Sequence, residues 1–225
     1  MKKNVLYIVA TPIGNLSDIT LRALDVLKNV DIIVCEDTRR TGKLLSHYGI
    51  KKSLLSCHGY NEKTRTGSVI QELESGKSAA YCSDAGTPGI SDPGSILAAQ
   101  VRESGYEVVP IPGPSAAASA FSVSGYGGST YFFGGFLSPK QGRRRRRLLE
   151  LMDCGSAVII YESPFRIVKL LRDIADIDSE RKVFIAREMT KLHEEFVSGT
   201  AAELLEDFKA RKSIKGEIVV CISLK

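Results

Sequence analysis

Short runs of apolar, β-branched residues alternate with helical patterns through the first half of the chain. The alternation predicts five strands, at Val5–Val9, Asp31–Cys35, Ser53–Cys57, Ser78–Ser83 and Glu107–Ile111. Helices are predicted between them, with Asn61 as the cap of a helix over residues 62–75 and with Asp92 and Pro93 as the start of another. Strands that alternate with helices in this way are typical of a mostly parallel sheet covered by helices.

The second half of the chain has a less regular pattern. Its predicted strands are Tyr131–Phe136, Ala157–Tyr161, Val183–Glu188, Glu194–Ser198 and Glu217–Ser223. The predicted helices cover Ser115–Ser124, a segment that follows the arginines at 143–147, Ser163 to about Ile174, and Ala201 to about Lys212. The gap between the third and fourth of these strands is too short for a crossover helix, so an antiparallel pair and a mixed sheet are expected.

The composition of the two halves differs, because all eight phenylalanines lie at or after Phe121. We therefore predict an α/β protein of two domains. Residues 1–113 are expected to hold the mostly parallel five-stranded sheet, and residues 114–225 the mixed sheet.

Composition places the chain among folded proteins, since 43% of its 225 residues are hydrophobic and 25% are charged. No apolar run reaches the roughly 20 residues that cross a bilayer. The first apolar stretch runs directly into Thr11 and Pro12, which favours a first strand over a signal peptide. A cytoplasmic protein that does not contact a membrane is expected.

The five cysteines are odd in number and widely spaced, and no Cys-x-x-Cys motif occurs. This pattern favours reduced, buried cysteines over a disulfide framework or a zinc site. Cys57 and His58 are neighbours, but no second pair completes a metal set. We predict no metal.

Three loops that follow predicted strands are rich in glycine and proline. The segment 83–94 packs three glycines, two prolines and two aspartates between a strand and a helix, and segments 11–18 and 110–117 follow the first and fifth strands. In a parallel sheet these loops would share one crevice, where open α/β sheets bind ligands. A tight connection at 83–94 and a rigid linker at 112–114 are the alternatives. The Rossmann, P-loop and nucleophile-elbow motifs are absent.

The net charge of +5 is mild, but residues 140–147 hold six positive charges and no acid. A cationic run at a helix start is disfavoured by the helix dipole, so an external anion such as RNA phosphate is indicated; a solvated helix face is the alternative. The aromatic residues just before the run are expected in the core rather than as stacking platforms, namely Tyr126, Tyr131, Phe132, Phe133 and Phe136.

Two further charged segments, 161–166 and 187–195, could project side chains into a cleft between the domains. Hydrated turns with local ion pairs are the alternative.

Six motifs together resemble one known family: Thr-Pro-Ile-Gly-Asn-Leu at 11–16, Glu-Asp-Thr-Arg at 36–39, the whole of 83–94, Pro-Gly-Pro-Ser-Ala at 112–116, Tyr-Glu-Ser-Pro at 161–164 and Thr-Lys-Leu-His-Glu-Glu at 190–195. The family is that of bacterial 16S ribosomal RNA cytidine 2′-O-methyltransferases, in the tetrapyrrole-methylase-like class of S-adenosylmethionine enzymes. The likeness spans nearly the whole chain. Phe165 stands where the family's motif is expected to have a histidine, so a base is not expected there.

The resemblance implies a homodimer whose subunits hold S-adenosylmethionine in a cleft between two α/β domains. It implies methyl transfer to the ribose 2′-hydroxyl of a cytidine in the decoding region of 16S ribosomal RNA, with the assembled small subunit preferred over bare RNA. Carried onto this sequence, it places the cofactor at Pro12, Gly14, Asp84, Ala85, Gly86, Thr87, Pro88, Ser115 and Ala116.

In-line methyl transfer also needs a group that takes the hydroxyl proton. The candidate bases are Glu162, Glu194 and Asp84. Candidate contacts to RNA phosphate are Arg143, Arg144, Arg145, Arg146, Arg147, Arg166 and Lys191.

Two other functions stay open at this point. One is a small-molecule methylase of the same fold that acts on a tetrapyrrole such as a precorrin, and the other is a non-catalytic RNA-binding assembly factor. The arginine run and Glu-Asp-Thr-Arg favour an RNA substrate, and the intact cofactor loops argue against the assembly factor.

Overall fold

The computed structural model describes residues 2–128 and 130–224, and it divides into two compact units between Ser115 and Ala116. In the first unit all paired strands run parallel, in the order β3-β2-β4-β1-β5. The strands are β1 (Val5–Val9), β2 (Ile32–Cys35), β3 (Leu54–Ser56), β4 (Ala79–Cys82) and β5 (Glu107–Ile111). The helices are α1 (Leu21–Asn29), α2 (Thr38–His47), α3 (Glu62–Glu74) and α4 (Ser95–Glu103), with a 3₁₀ turn at Leu16–Asp18.

Both faces of the parallel sheet are buried. Tyr7 and Val9 of β1 pack on one side with residues of α1 and α2, whereas Leu6 of the same strand packs on the other side with residues of α3 and α4. Successive side chains of a strand point to opposite faces, so an apolar run such as Val5–Val9 supplies both cores. The predicted parallel sheet is confirmed, and the carboxyl ends of its strands share one edge.

Helix α4 begins later than the sequence predicts. Its N-cap is Gly94, and not Asp92 followed by Pro93. The backbone φ of Gly94 is +123°, in a region that favours glycine. The buried carboxylate of Glu62 accepts hydrogen bonds from the N–H groups of Gly94 (2.9 Å) and Leu97 (3.0 Å), which satisfies donors of the first turn.

The second unit holds a mixed sheet in the order β6-β7-β10-β8-β9. Strand β6 runs parallel to β7, and the other three pairs are antiparallel. The antiparallel pairing of β8 with β9 is the one that the short gap between them predicts. The strands are β6 (Tyr131–Phe136), β7 (Ala157–Glu162), β8 (Lys182–Arg187), β9 (Glu195–Thr200) and β10 (Ile218–Ile222). The helices are α5 (Ala116–Ser124), α6 (Gln141–Met152), α7 (Ile167–Ile177) and α8 (Ala201–Ala210).

Two helices of the second unit start at positions other than those predicted. The arginine run lies inside α6 rather than before it, and α7 starts at Ile167 with Arg166 as its N-cap rather than at Ser163. Helix α8 starts at Ala201 as predicted, because Thr200 and Glu203 form a reciprocal capping box.

Across the described part of the chain, every helix is too short or too polar to cross a membrane.

Candidate functional site

The loops that follow β1 and β4 are joined to each other by backbone hydrogen bonds. The N–H of Thr11 donates to the carbonyl of Gly86 (2.9 Å), and the N–H of Gly86 donates to the carbonyl of Thr11 (3.0 Å). The Thr11 hydroxyl also donates to the carbonyl of Ser83 (3.3 Å). These bonds fix the two loops against each other at the carboxyl edge of the sheet.

The loop that follows β5 is tied to the same place. The hydroxyl of Thr87 donates to the carbonyl of Pro114 (3.1 Å), and the N–H of Ala10 donates to the carbonyl of Ile111 (3.2 Å). The three loops that the sequence analysis grouped therefore meet above β4, β1 and β5, which are neighbours in the sheet.

Two glycines let these loops approach one another. Gly86 has a φ of +76°, and a Cβ placed on it would lie 3.4 Å from Cγ2 of Ile13. A Cβ on Gly113 would lie 3.0 Å from the Cβ of Ala10. At both positions the absence of a side chain therefore lets one loop pack closely against the next.

Of the residues predicted to bind the cofactor, eight lie on these three loops: Pro12, Gly14, Asp84, Ala85, Gly86, Thr87, Pro88 and Ser115. The ninth, Ala116, is the first residue of α5 in the second unit.

Charged residues gather where β2 and β4 end. Asp84 accepts a hydrogen bond from the N–H of Asp37 through Oδ1 (3.1 Å), and its Oδ2 lies 3.4 Å from Nε of Arg40. The N–H of Asp84 in turn donates to Oε2 of Glu36 (3.4 Å). Burial, reinforced by the charge of Asp84, raises the pKa of the Glu36 carboxyl above its ordinary value. Pro12, Arg40 and Asp84 also line a cavity of about 140 Å³ at this edge.

His58 follows β3 at the same edge. Its ring atom Nδ1 is buried and has no hydrogen-bond partner among residues 2–128 and 130–224. The backbone N–H of His58 donates to Oδ1 of Asn61 (2.8 Å), which explains why Asn61 occupies the N-cap of α3 without its side chain capping that helix. An orphaned buried nitrogen costs free energy unless a ligand or solvent satisfies it.

The candidate base Glu162 is buried in the second unit. Its Oε1 lies 2.6 Å from Nη2 of Arg166 and accepts a hydrogen bond from the N–H of Ser163 (2.7 Å). Arg166 also donates to the carbonyl of Leu137 (3.2 Å). This pair connects the end of β7 to the start of α7 and uses both charges.

The turn between β8 and β9 is held in a similar way. The ammonium of Lys191 lies 2.9 Å from a carboxylate oxygen of Glu188 and 2.9 Å from one of Glu217. Burial opposes the charge of Lys191, but these two hydrogen bonds outweigh it and raise its pKa. Glu194 accepts the N–H of Thr190 within the turn. The ammonium of Lys191 and the carboxylate of Glu194 are therefore engaged locally.

The five arginines of α6 have different environments. Arg144 is buried, and its Nε lies 2.6 Å from Oδ2 of Asp173, which is itself 1% exposed. This burial removes Arg144 from the predicted contacts to RNA, because its guanidinium is enclosed by protein. Arg145 pairs with Asp176 and Arg147 with Glu150 at the surface. Arg143 and Arg146 are exposed and have no ion-pair partner in the described part of the chain.

The aromatic residues before α6 are less buried than the sequence analysis expects. Tyr131, Phe132 and Phe136 are 44%, 40% and 58% exposed, because β6 is an edge strand. The guanidinium of Arg147 lies 5.4 Å from the ring centre of Phe132, within cation–π distance.

The cysteines are free thiols. Cys35, Cys57, Cys82 and Cys221 are buried, and Cys154 is exposed. Burial raises the pKa of Cys57 to about 11, so it is a neutral thiol at physiological pH. The residues that the structure describes contain no group of three or more His, Cys, Asp or Glu side chains that could hold a metal.

Neither Glu36 nor His58 is among the site residues that the sequence predicts. A signal for Glu36 existed: it follows β2 directly, as Asp84 follows β4 after one residue, and β2 and β4 are neighbours. His58 has no comparable signal, since only its buried, unpartnered nitrogen distinguishes it.

The chain matches a known protein family over most of its length. The family model described as tetrapyrrole (corrin/porphyrin) methylases matches residues 5–205.

Similar curated proteins carry the name ribosomal RNA small subunit methyltransferase I. The one from Thermotoga maritima is 51% identical over 98% of this chain and 98% of its own. The one from Borrelia garinii is 45% identical over 97% of this chain and 98% of its own. The one from Neisseria meningitidis serogroup B is 45% identical over 96% of this chain and 75% of its own.

Two solved structures share the fold. A cobalt-precorrin-4 methyltransferase of cobalamin biosynthesis has a TM-score of 0.71 at 15% identity, over 97% of this chain and 94% of its own. Uroporphyrin-III-C-methyltransferase from Thermus thermophilus has a TM-score of 0.71 at 16% identity, over 98% of this chain and 94% of its own. At these identities the likeness shows the fold alone.

Proposed function

Since this chain belongs to the tetrapyrrole methylase family and, within it, to the ribosomal RNA small subunit methyltransferase I proteins, we propose that it methylates the ribose 2′-hydroxyl of a cytidine in the decoding region of 16S ribosomal RNA. The chain is a methyltransferase by this membership. S-adenosylmethionine is its proposed methyl donor, and the small ribosomal subunit its proposed substrate.

The observation that carries the proposal is the meeting of three glycine- and proline-rich loops above β4, β1 and β5. Their residues fit S-adenosylmethionine, because glycine at 86 and 113 lets the three loops come together at the carboxyl edge of the sheet, where open α/β sheets bind ligands. When bound, this cofactor supplies an electrophilic methyl group on a sulfonium.

The residues proposed to hold the cofactor are those that the sequence analysis selected: Pro12, Gly14, Asp84, Ala85, Gly86, Thr87, Pro88, Ser115 and Ala116. Loops that are bonded to one another suit this task, since methyl transfer depends on holding the acceptor oxygen in line with the methyl group. The carboxylates of Asp84, Glu162 and Glu194 remain predicted bases. Glu162 would first have to leave its pair with Arg166.

For RNA we propose the exposed face of α6 as a phosphate contact, with Arg143 and Arg146 at its centre and Arg145 and Arg147 beside them. Arg166 and Lys191 stay predicted contacts that would exchange ion pairs with the protein for ion pairs with phosphate. The division into domains 1–113 and 114–225, the cofactor cleft between them, the homodimer and the cytoplasmic location also stay predictions.

The test is methyl transfer from labelled S-adenosylmethionine to small ribosomal subunits that lack the modification. We expect label in 2′-O-methylcytidine at one position of the decoding region. Bare 16S RNA, offered in parallel, should accept less.

Two outcomes would contradict the proposal. Label on a tetrapyrrole with none on RNA would point to a small-molecule methylase. RNA binding without cofactor binding or transfer would point to an assembly factor.

A further inference from the structure

We propose that Glu36 is the residue that receives the proton of the acceptor hydroxyl, and that Glu36, Asp84 and His58 form the place where the acceptor ribose is held. The three residues, defined here as the acceptor cluster, lie at the carboxyl ends of β2, β4 and β3. This inference rests on the proposed function and assigns the proton acceptor of that reaction to Glu36 rather than to Asp84, Glu162 or Glu194.

The acceptor cluster adjoins the cofactor loops through direct contacts. Asp84 is the second residue of the loop after β4, and its N–H donates to Oε2 of Glu36 (3.4 Å). The same loop is bonded to Thr11 at Gly86. A proton acceptor at Glu36 therefore lies beside the loops proposed to hold the methyl group, which in-line transfer requires of an acceptor site.

Glu36 has the most open carboxylate of the candidates. Asp84 is engaged by the Asp37 N–H and by Arg40, Glu162 by Arg166, and Glu194 by the Thr190 N–H. For Glu36, one long hydrogen bond reaches Oε2, and no donor among the described residues reaches Oε1. Its side chain is partly exposed, so an incoming hydroxyl can approach.

The electrostatic surroundings of Glu36 suit proton transfer. Burial and the negative charge of Asp84 raise the pKa of Glu36, whereas the hydrogen bond from the Asp84 N–H and the charges of Arg40 and His58 lower it, and the first two prevail. A carboxylate with a raised pKa is a stronger base, and general-base catalysis gains as the pKa of the base approaches the working pH.

His58 and Tyr60 give the cluster the features of a nucleoside site. The buried Nδ1 of His58 has a hydrogen-bonding capacity that the described residues leave unused, and a ribose hydroxyl can satisfy it. Tyr60 is fully exposed, with its ring centre 6.1 Å from that of His58. An exposed aromatic ring beside a polar pocket can stack on a nucleobase.

In the proposed reaction, Glu36 takes the hydroxyl proton as the methyl group moves to the 2′-oxygen. The 2′-oxygen forms a bond to the methyl carbon as the bond from that carbon to the sulfonium sulfur breaks, and the sulfur keeps the electron pair. The hydroxyl proton moves to the Glu36 carboxylate. The products are the 2′-O-methyl nucleotide, the neutral thioether and a protonated Glu36, which releases its proton to water.

The experiment compares Glu36→Gln with Glu107→Gln, a matched carboxylate-to-amide change at an exposed residue of β5 that pairs with Lys2. With small subunits as substrate, Glu36→Gln should lower kcat about 10²–10⁴-fold, the usual contribution of a general base. Its affinity for S-adenosylmethionine, measured by calorimetry, should stay within about threefold of wild type, since that variant keeps the loops. Glu107→Gln should change neither quantity, and Glu36→Asp should recover part of the rate.

The pH profile is a readout that a merely structural role would not move. Because the pKa of Glu36 is raised, its carboxylate takes up a proton at a pH above the ordinary pKa of 4.5 and then no longer acts as a base. As the pH decreases through that range, the kcat of the wild-type protein should fall. In Glu36→Gln this acid limb should vanish. Carbon NMR of the labelled carboxyls, without cofactor, should show Glu36 titrating above 4.5.

Three other outcomes would overturn the role proposed for Glu36. If wild type transfers no methyl group to subunits, the proposed function fails, and this inference fails with it. If wild type is active and Glu36→Gln keeps its rate and acid limb, the role of Glu36 is wrong. Loss of cofactor binding in a folded Glu36→Gln would also overturn it, because Glu36 would then support the loops.

Discussion

Different interactions hold the loops of the two units. The comparison is between the charged and glycine-rich loops at the carboxyl edge of the first unit and the charged loops of the second unit. In the first unit, main-chain bonds join the loops, as between Thr11 and Gly86. In the second unit, side chains pair with one another, as in Glu162 with Arg166 and Lys191 with Glu188.

This difference decides which residues are free for chemistry. Backbone bonds position a loop and leave side chains such as Glu36 open to a ligand. Ion pairs position a loop by engaging the charges themselves, so Glu162 and Lys191 meet a ligand only if their pairs open. Charged residues in a sequence motif can therefore build the fold as readily as they serve the reaction.

The largest effect on stability is expected at Arg144, whose charge is buried against Asp173 in the second unit. Arg144→Ala should leave Asp173 buried without its partner and lower the free energy of unfolding by about 3–5 kcal/mol. Urea unfolding measures this loss. Arg146→Ala, on the exposed side of the same helix, should stay within about 0.5 kcal/mol of wild type. Equal losses in both variants would contradict the assignment.

In the first unit, the sharpest change is Gly86→Val. Its φ of +76° and the contact with Ile13 should displace the loops and weaken S-adenosylmethionine binding at least about tenfold, since left-handed backbone alone costs about 1–2 kcal/mol in other residues. Calorimetry measures the affinity. Gly105→Val is the matched control, with a φ of +86° and nothing within 4 Å of its Cβ. Wild-type affinity in Gly86→Val would refute the loop assignment.

A smaller effect is expected at the exposed face of α6. The double variant Arg143→Ser/Arg146→Ser should weaken RNA binding and flatten its dependence on salt by about one unit of slope per lost phosphate contact, while cofactor affinity stays unchanged. Filter binding at several salt concentrations gives the slope. Arg22→Ser/Arg102→Ser removes the same charge from exposed positions of the first unit and is the control. If both doubles behaved alike, net charge rather than α6 would explain RNA binding.

The smallest effect is expected for Lys191→Met. Its two ion pairs are partly exposed, so the free energy of unfolding should fall by about 1 kcal/mol or less, measured in urea. RNA affinity should change less than in the α6 double variant, because Glu188 and Glu217 already engage the charge. A larger loss of RNA affinity than in that variant would show that the pairs open for phosphate.

The fold could be predicted to a large extent, because its signals are local. The apolar run at Val5–Val9 is a pattern that neighbouring residues determine. The start of α4 could not be predicted in the same way. Its donors are satisfied by Glu62, which lies more than thirty positions earlier in the chain and meets α4 only after folding.

The sequence around the arginine run contains a pattern that indicates the burial of Arg144. Arg144, Leu148 and Leu151 are all buried, and their spacing is that of one helix face. Extending the helix back over the run would have marked Arg144 as inward-facing. Its partner Asp173 on α7 is beyond prediction from local pattern.

The candidate site also has one part that the sequence predicts and one part that it does not. The meeting of the three loops could be predicted from the sequence, because the loops that follow parallel strands lie at the same edge of a sheet. The carboxylate that is open to a ligand could not be predicted, because this depends on hydrogen bonds and ion pairs that form only in the folded structure, such as Asp84 with Glu36 and Glu162 with Arg166.

The most direct test of the central claim, that the joined loops of the first unit hold the methyl donor, is amide hydrogen exchange with and without S-adenosylmethionine. We predict slower exchange on cofactor addition in peptides that cover 11–16, 83–89 and 110–115, with α6 unchanged. Saturating cofactor that left all three loops unaltered, or that protected the second unit alone, would contradict the account.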